Sequence, residues 1–118
     1  MTHTVTLLAD HKGHTRPRVS GDEYFVDAVI DITSHTAAGE EISASSLGLS
    51  TINCVIITGQ EKGIGNSGFL ATVELSTAGA YESSSAFQIV ATDFDGTNAS
   101  ASNSDDIGAV RVRVYGNL

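Results

Sequence analysis

The sequence is poor in several residues on which functional sites often depend. It holds one cysteine, one proline, no tryptophan, and six lysines and arginines against fourteen aspartates and glutamates. A single cysteine excludes an internal disulfide. A formal net charge of −8 argues against a nucleic-acid binder, because phosphate binding needs a clustered cationic surface. The lack of tryptophan weakens the case for a sugar site, which usually uses exposed aromatic platforms.

Long apolar segments are also missing. No apolar run approaches the roughly 20 residues that span a bilayer, so we expect no membrane partner. The N-terminus lacks the charged-then-apolar pattern of a signal segment, so we expect synthesis in a cytoplasm. The 118 residues fit one domain covering 1–118, and the 41% apolar content argues against disorder of the whole chain.

The pattern that is present has a period of two. In 24–32, Tyr24, Val26, Ala28, Ile30 and Ile32 share one face, while Phe25, Asp27, Val29 and Asp31 share the other. Similar alternation occurs in 4–9, 69–75, 87–92 and 110–115. The run 52–58 is more continuously apolar, which is typical of a central strand, and we expect Cys54 within it to be buried.

Helix signals are nearly absent. One turn is predicted around 43–47, with Ser43 placed to cap it and Gly48 placed to end it. About six or seven strands joined by polar turns predict an all-β fold. We expect a single antiparallel β-sandwich or barrel, jelly-roll-like, with at most one helical turn.

Two glycine-containing motifs favour turns over ligand sites. The segment 63–68 matches G-x-G-x-x-G, but a period-two strand follows it instead of the helix that a dinucleotide site needs. The segment 93–98, even with Asp105 and Asp106, has its glycine too early for a calcium loop. We expect a glycine-rich loop and a strand end, and no cofactor.

The remaining titratable residues form no recognisable catalytic or metal pattern. His3, His11 and His14 have no cysteine partner, so we expect exposed histidines and no zinc. Glu40 and Glu41 lie in a turn-like segment, where solvation is the ordinary explanation. No serine sits in a Gly-x-Ser-x-Gly elbow, so nothing points to an enzyme.

The candidate contact residues lie near the N-terminus. Three of the six cations, Lys12, Arg16 and Arg18, fall in the basic loop or arm 11–18, outside the predicted strands. This segment either docks on an acidic partner or is a solvated loop. Phe25 and Val29 are apolar residues on the outward face of their strand, which more often marks an interface than bare surface.

The order of several segments resembles a known family. A strand ending at 31–33 leads to 37–42 and then to 44–52, an apolar strand follows, and the chain closes on 110–116. This resembles the small virion structural proteins of tailed bacteriophages, in particular head decoration (cement) proteins. The resemblance spans roughly residues 23–58 plus the C-terminal strand.

The resemblance implies a β-rich protein that binds the major capsid protein on the outer capsid surface and stabilises the head. It also implies a homotrimer and a location in the virion. It carries over no binding residues, because the family has no residue-level motif that matches here. The alternative is a carbohydrate-binding β-sandwich module of a tail fibre or carbohydrate-active protein.

Overall fold

The computed structural model describes residues 2–34, 40–60, 69–75, 85–93 and 107–118. These residues form eight strands and one 3-10 turn. The elements are β1 Thr2–Leu7, β2 Arg18–Ser20, β3 Glu23–Ser34, β4 Glu40–Ser43, the 3-10 turn Ala44–Leu47, β5 Thr51–Gln60, β6 Phe69–Leu75, β7 Ala86–Asp93 and β8 Gly108–Asn117. The all-β prediction is confirmed, with the strand count slightly above the expected six or seven because β2 and β4 are short.

The strands form two antiparallel sheets consistent with a sandwich. The larger sheet has the order β1-β3-β8-β5, with β2 also paired to β3, and the smaller has the order β4-β7-β6. Both β1 and β2 lie on the edge of β3 that faces away from β8. The segment 8–17 is therefore an insertion between two pieces of one sheet edge, and a turn at Gly21 and Asp22 leads from β2 into β3.

The core lies between the two sheets and follows the period-two pattern. On the inner face of β3, the residues that are at most 1% exposed are Val26, Ala28, Ile30 and Ile32. They pack with the inner residues of β8 and of the smaller sheet. The buried side chains with the largest volumes are Phe87, Ile30, Ile32, Ile42, Leu47, Ile52, Ile89 and Ile107. Burial of this apolar surface is the main stabilising contribution to the fold.

Side chains connect the two sheets at both sides of the sandwich. His3 of β1 and Glu40 of β4 form a hydrogen bond of 3.0 Å between Nδ1 and Oε1, and Glu40 is fully buried. On the opposite side, the Ala71 amide of β6 donates to Oε1 of Gln60 in β5 over 3.1 Å. The expectation of a solvated Glu40 was wrong, because Glu40 belongs to β4 and its side chain is buried. The expectation of an exposed His3 was also wrong, because β1 brings its ring into contact with Glu40.

The 3-10 turn ends where the sequence indicated. Gly48 adopts the left-handed conformation with φ 79°, and its amide donates to the carbonyl oxygen of Ser45. Ser43 occupies the capping position but makes no side-chain capping hydrogen bond, so that part of the prediction was wrong. Its carbonyl oxygen instead accepts a hydrogen bond from the Ser46 hydroxyl over 2.7 Å.

The apolar run around Cys54 is an edge strand, not a central one. Among the described residues, β5 pairs with β8 alone, and Cys54 is exposed on the outward side. The prediction of a buried Cys54 was therefore wrong. Both faces of this strand carry apolar residues, although one of its two hydrogen-bonding edges lies at the margin of the sheet.

Candidate functional site

The outward side of the larger sheet carries a group of ion-paired and aromatic side chains that contact one another. We call this surface the outer face and define it by Arg18, Glu23, Phe25, Asp27, Val29, Asp31, Cys54, Ile56, Arg111, Arg113 and Tyr115. Strand register places Arg113 opposite Asp27 and Tyr115 opposite Phe25. Opposed residues of an antiparallel pair point to the same side, so the register alone creates these contacts.

Asp27 is the centre of a three-residue ion-pair network. Nε and Nη2 of Arg113 donate to the two carboxylate oxygens of Asp27 over 2.8 and 2.9 Å, and Nη2 of Arg18 donates to one of them over 3.0 Å. Asp27 is only 6% exposed although it lies on the outward side. The hydrogen bonds from Arg113 lower the pKa of Asp27, so the carboxylate stays charged.

The same two guanidinium groups lie over an aromatic ring. Arg18 and Arg113 each place the guanidinium carbon 4.7 Å from the ring centroid of Phe25. The ring of Tyr115 follows at 5.9 Å from that of Phe25. Stacking and ion pairing hold both arginines in fixed orientations, with roughly a third of each side chain still exposed.

Charge is distributed unequally between the two sides of the sandwich. The outward side of the larger sheet carries Arg18, Arg111 and Arg113 against three carboxylates, Glu23, Asp27 and Asp31, of which Asp27 is neutralised by the network. On the outward side of the smaller sheet, the charged residues that the structure describes are Glu41 and Glu74. Within the described strands, the arginines thus all lie on one side of the sandwich, where they balance three carboxylates.

The inserted loop 8–17 is built around Asp10. One carboxylate oxygen of Asp10 accepts hydrogen bonds from the amides of Lys12 and His14 over 2.8 and 3.0 Å. The hydrogen bond from the His14 amide contributes most to lowering the pKa of Asp10. Gly13 has φ 84°, which lets the chain reverse within the loop. The loop is therefore a compact turn at the edge of the outer face.

The structure separates the five predicted contact residues into two groups. Arg18, Phe25 and Val29 lie together on the outer face, while Lys12 and Arg16 are exposed in the inserted loop. The expectation that 11–18 lies outside the strands was wrong for Arg18, which begins β2 and binds Asp27. Their role in binding a partner stays a prediction.

Sequence reasoning missed Asp27, Arg113 and Tyr115 as parts of this site. Asp27 and Arg113 are 86 residues apart, and only the register of β3 with β8 brings them together. The available signal was an outward aspartate in one strand and alternating arginines in another. Complementary charges on two strands become informative only once the strands are known to be neighbours.

Other predicted motifs give no additional site. Within the described residues no group of three or more His, Cys, Asp or Glu side chains could hold a metal ion. The segments 63–68, 94–98 and 105–106, and His35, lie outside the described residues. In the part of the chain that the structure describes, no helix is long and apolar enough to cross a membrane.

Comparisons with known proteins give no assignment. No protein-family model, curated protein or solved structure matches this chain significantly. The residues of the outer face and the resemblance to decoration proteins are what support a function for this chain.

Proposed function

We propose that this chain is a non-enzymatic bacteriophage virion protein that binds the outer surface of the capsid and stabilises the head. In this proposal the outer face contacts the major capsid protein. The observation that carries the proposal is the network of Arg18, Asp27 and Arg113 around Phe25, which is held in place and still partly exposed. Arginine and aromatic side chains are enriched at the energetically important centres of protein interfaces.

The charge of the outer face indicates the chemistry of the partner. The three arginines balance Glu23, Asp27 and Asp31, so their positive charge leaves this side without the net negative charge of the chain and makes it the side that an acidic surface repels least. Lys12 and Arg16 extend the same charge beyond the edge of the sheet. Because exposed charges are screened by salt, binding in this arrangement weakens as the ionic strength rises.

The geometry supports the alternative carbohydrate module less well. Sugar stacking needs an open aromatic ring, whereas Phe25 already has two guanidinium groups over its ring. Tyr115 is half-buried beside it and is the other aromatic residue of the outer face. The arrangement is better suited to a protein partner than to a sugar.

A matched pair of substitutions tests the docking surface. Val29→Glu puts a negative charge in the middle of the outer face, opposite Arg111, and Leu70→Glu puts the same charge on the outward side of the smaller sheet. We expect Val29→Glu to weaken sedimentation with purified capsid shells at least about tenfold, equivalent to about 1.4 kcal/mol. Leu70→Glu should bind like the parent chain.

Circular dichroism and thermal melting of both variants establish that they fold. Equal binding by the two folded variants would place the contact elsewhere. Failure of the parent chain to bind shells under any salt condition would refute the proposed function itself. A glycan array with specific, saturable binding would instead support the carbohydrate alternative.

A further inference from the structure

The ion-pair network of the outer face contains two cations and one anion. Nε and Nη2 of Arg113 and Nη2 of Arg18 all donate to Asp27, and both oxygens of that carboxylate accept hydrogen bonds. The network therefore holds two positive charges against one negative charge. In a chain of net charge −8, this is a local excess of positive charge.

The other carboxylates of the outer face lie away from the network. Glu23 and Asp31 are each four residues from Asp27 in β3, which is about 13 Å along an extended strand. Oε2 of Glu23 also accepts a hydrogen bond from Nδ2 of Asn53 over 3.0 Å. Among the described residues, Asp27 is the only carboxylate within ion-pair distance of the two network arginines. The local positive charge is therefore not cancelled.

The arginines keep donor groups that Asp27 does not use. A guanidinium group has five N–H donors in one plane. Arg18 donates to Asp27 through Nη2, and its Nε and Nη1 make no hydrogen bond to any described residue. Both guanidinium groups lie 4.7 Å from the ring centroid of Phe25, and 30% of the Arg18 side chain and 38% of the Arg113 side chain are exposed. The donors are thus held in place before a partner arrives, which lowers the entropy cost of binding.

We propose that Arg18 and Arg113 form a binding site for one carboxylate group, supplied by an acidic side chain of the partner. The partner carboxylate lies between the two guanidinium groups on their solvent-facing side, so that two arginines alternate with two carboxylates. A carboxylate is favoured as the ligand because its planar pair of oxygens matches the N–H fork of a guanidinium group. This inference rests on the proposed function, in which the partner is a protein.

The site gives the docking contact a defined position. Charges in the inserted loop act over a distance and attract any acidic surface, whereas the network arginines are fixed by Asp27 and Phe25. A carboxylate bound there sets where the partner lies on the outer face. The loop then contributes mainly to the rate of association, and the site contributes to the register of the complex.

Nuclear magnetic resonance of the Nε–Hε groups of Arg18 and Arg113 tests the site without shells. The probe is a blocked tripeptide with one central glutamate, and the control is the same tripeptide with glutamine. We expect both resonances to shift saturably with the glutamate peptide alone, with a dissociation constant on the order of millimolar. No shift up to about 50 mM peptide, equal shifts with both peptides, or tighter binding of inorganic phosphate at equal ionic strength would overturn the proposal.

Two lysine variants separate the fork geometry from charge. Arg18→Lys keeps the charge of the site and loses the planar fork, whereas Leu70→Lys adds a cation to the outward side of the smaller sheet. We expect Arg18→Lys to weaken binding of the glutamate peptide roughly fivefold, read at Arg113, and Leu70→Lys to leave it unchanged. Non-specific attraction gives the opposite result, with Arg18→Lys unchanged and Leu70→Lys stronger, and that result contradicts the proposal. Circular dichroism establishes that both variants fold.

Sedimentation with capsid shells separates this site from the proposed function. We expect the parent chain to bind shells and Arg18→Lys to bind them roughly tenfold more weakly. If the two proteins sediment equally well, the carboxylate site is wrong and the proposed function stands. If the parent chain does not sediment with shells, the proposed function is wrong, and the peptide titration alone decides whether the site exists.

Discussion

The two faces of β3 and β8 are made by the same strands but are held together by different forces. On the inner face, Ala28, Ile30 and Val112 are fully buried among apolar neighbours. On the outer face, Asp27 and Arg113 meet through directed hydrogen bonds beside an aromatic ring. One alternating sequence thus encodes a non-directional core on one side and a fixed polar arrangement on the other.

The difference shows which face determines the fold and which face is available for recognition. Apolar burial depends on area and tolerates many arrangements of similar volume. The ion-pair network depends on atom positions, and burying Asp27 costs desolvation that the two arginines must offset. A polar cluster with such a cost is a weak source of stability, which fits its assignment to binding.

The largest change in the free energy of unfolding is expected on the inner face, and two adjacent residues on opposite faces allow the comparison. Ile30 is fully buried and Val29 is half-buried on the outer face. Ile30→Ala should lower the free energy of unfolding by about 2–5 kcal/mol, because it leaves a cavity between the sheets. Val29→Ala should lower it by less than about 1.5 kcal/mol. Urea denaturation measures both, and similar losses would show that the two faces contribute equally.

The second-largest loss of stability is expected from a substitution at Gly116, an inward-facing residue of β8. A Cβ placed on Gly116 would collide with the backbone carbonyl oxygen of Thr51, whereas one placed on Gly59 would meet Cβ of Arg111 at an ordinary 3.9 Å. Gly116→Ala should therefore cost about 1–3 kcal/mol of stability, because backbone must move. Gly59→Ala should change stability by less than about 0.5 kcal/mol. Thermal unfolding of the two variants checks this, and an unchanged Gly116→Ala would disprove the close approach.

The inner face was largely predictable from the sequence, and the reason is physical. A strand with one buried face needs apolar residues at every second position, so 24–32 and 110–115 could be assigned locally. The strands β2 and β4, with three and four residues, are too short to show that period. The order of strands also has no local signal, which is why the edge strand β5 was taken for a central one.

The outer face was only partly predictable. Outward apolar side chains pointed to Phe25 and Val29, and clustered charge pointed to Arg18. The partners of Arg18 could not be predicted, because they depend on which strands are neighbours and in which register. Lys12 and Arg16 were placed in a basic loop or arm, and the compact turn that hydrogen bonds from the Lys12 and His14 amides to Asp10 form there had no clear signal in the sequence.

A smaller effect is expected at the centre of the outer face, and it depends on pH. The pKa of Asp27 is lowered in the folded protein, below its ordinary 3.8. Its contribution is therefore fully present above about pH 3.8 and is lost as the pH falls through the folded pKa. Asp27→Asn should cost about 1–2 kcal/mol near neutral pH, and the difference from the parent chain should shrink in acid.

Asp31 supplies the matched control for this titration. It lies on the same strand and the same face, and it is exposed. Asp31→Asn should leave both the stability at neutral pH and its acid dependence close to those of the parent chain. Urea unfolding at several pH values between neutrality and pH 2.5 compares the three proteins. Parallel curves for Asp27→Asn and the parent chain would show that the network does not stabilise the charged carboxylate.

The smallest change in stability, and the sharpest separation of fold from binding, is expected in the inserted loop. Lys12 and Arg16 are exposed, so replacing both with serine should change the free energy of unfolding by less than about 0.5 kcal/mol. Each exposed charge pair with a partner contributes roughly 0.2–1 kcal/mol, so the loss of two pairs should weaken shell binding at low salt about twofold to thirtyfold. Its salt dependence should also become flatter.

Arg18→Ser tests the same charge where it is part of the network. It removes a partner of Asp27, so it should lower stability as well as binding, whereas the double loop variant should lower binding alone. Thr15→Ala, an exposed neutral change in the same loop, is the control for loop packing. If the double variant binds shells as tightly as the parent chain at low salt, the loop makes no contact. The residues that bind the shell would then lie on the outer face of the sheet, beginning with Arg18.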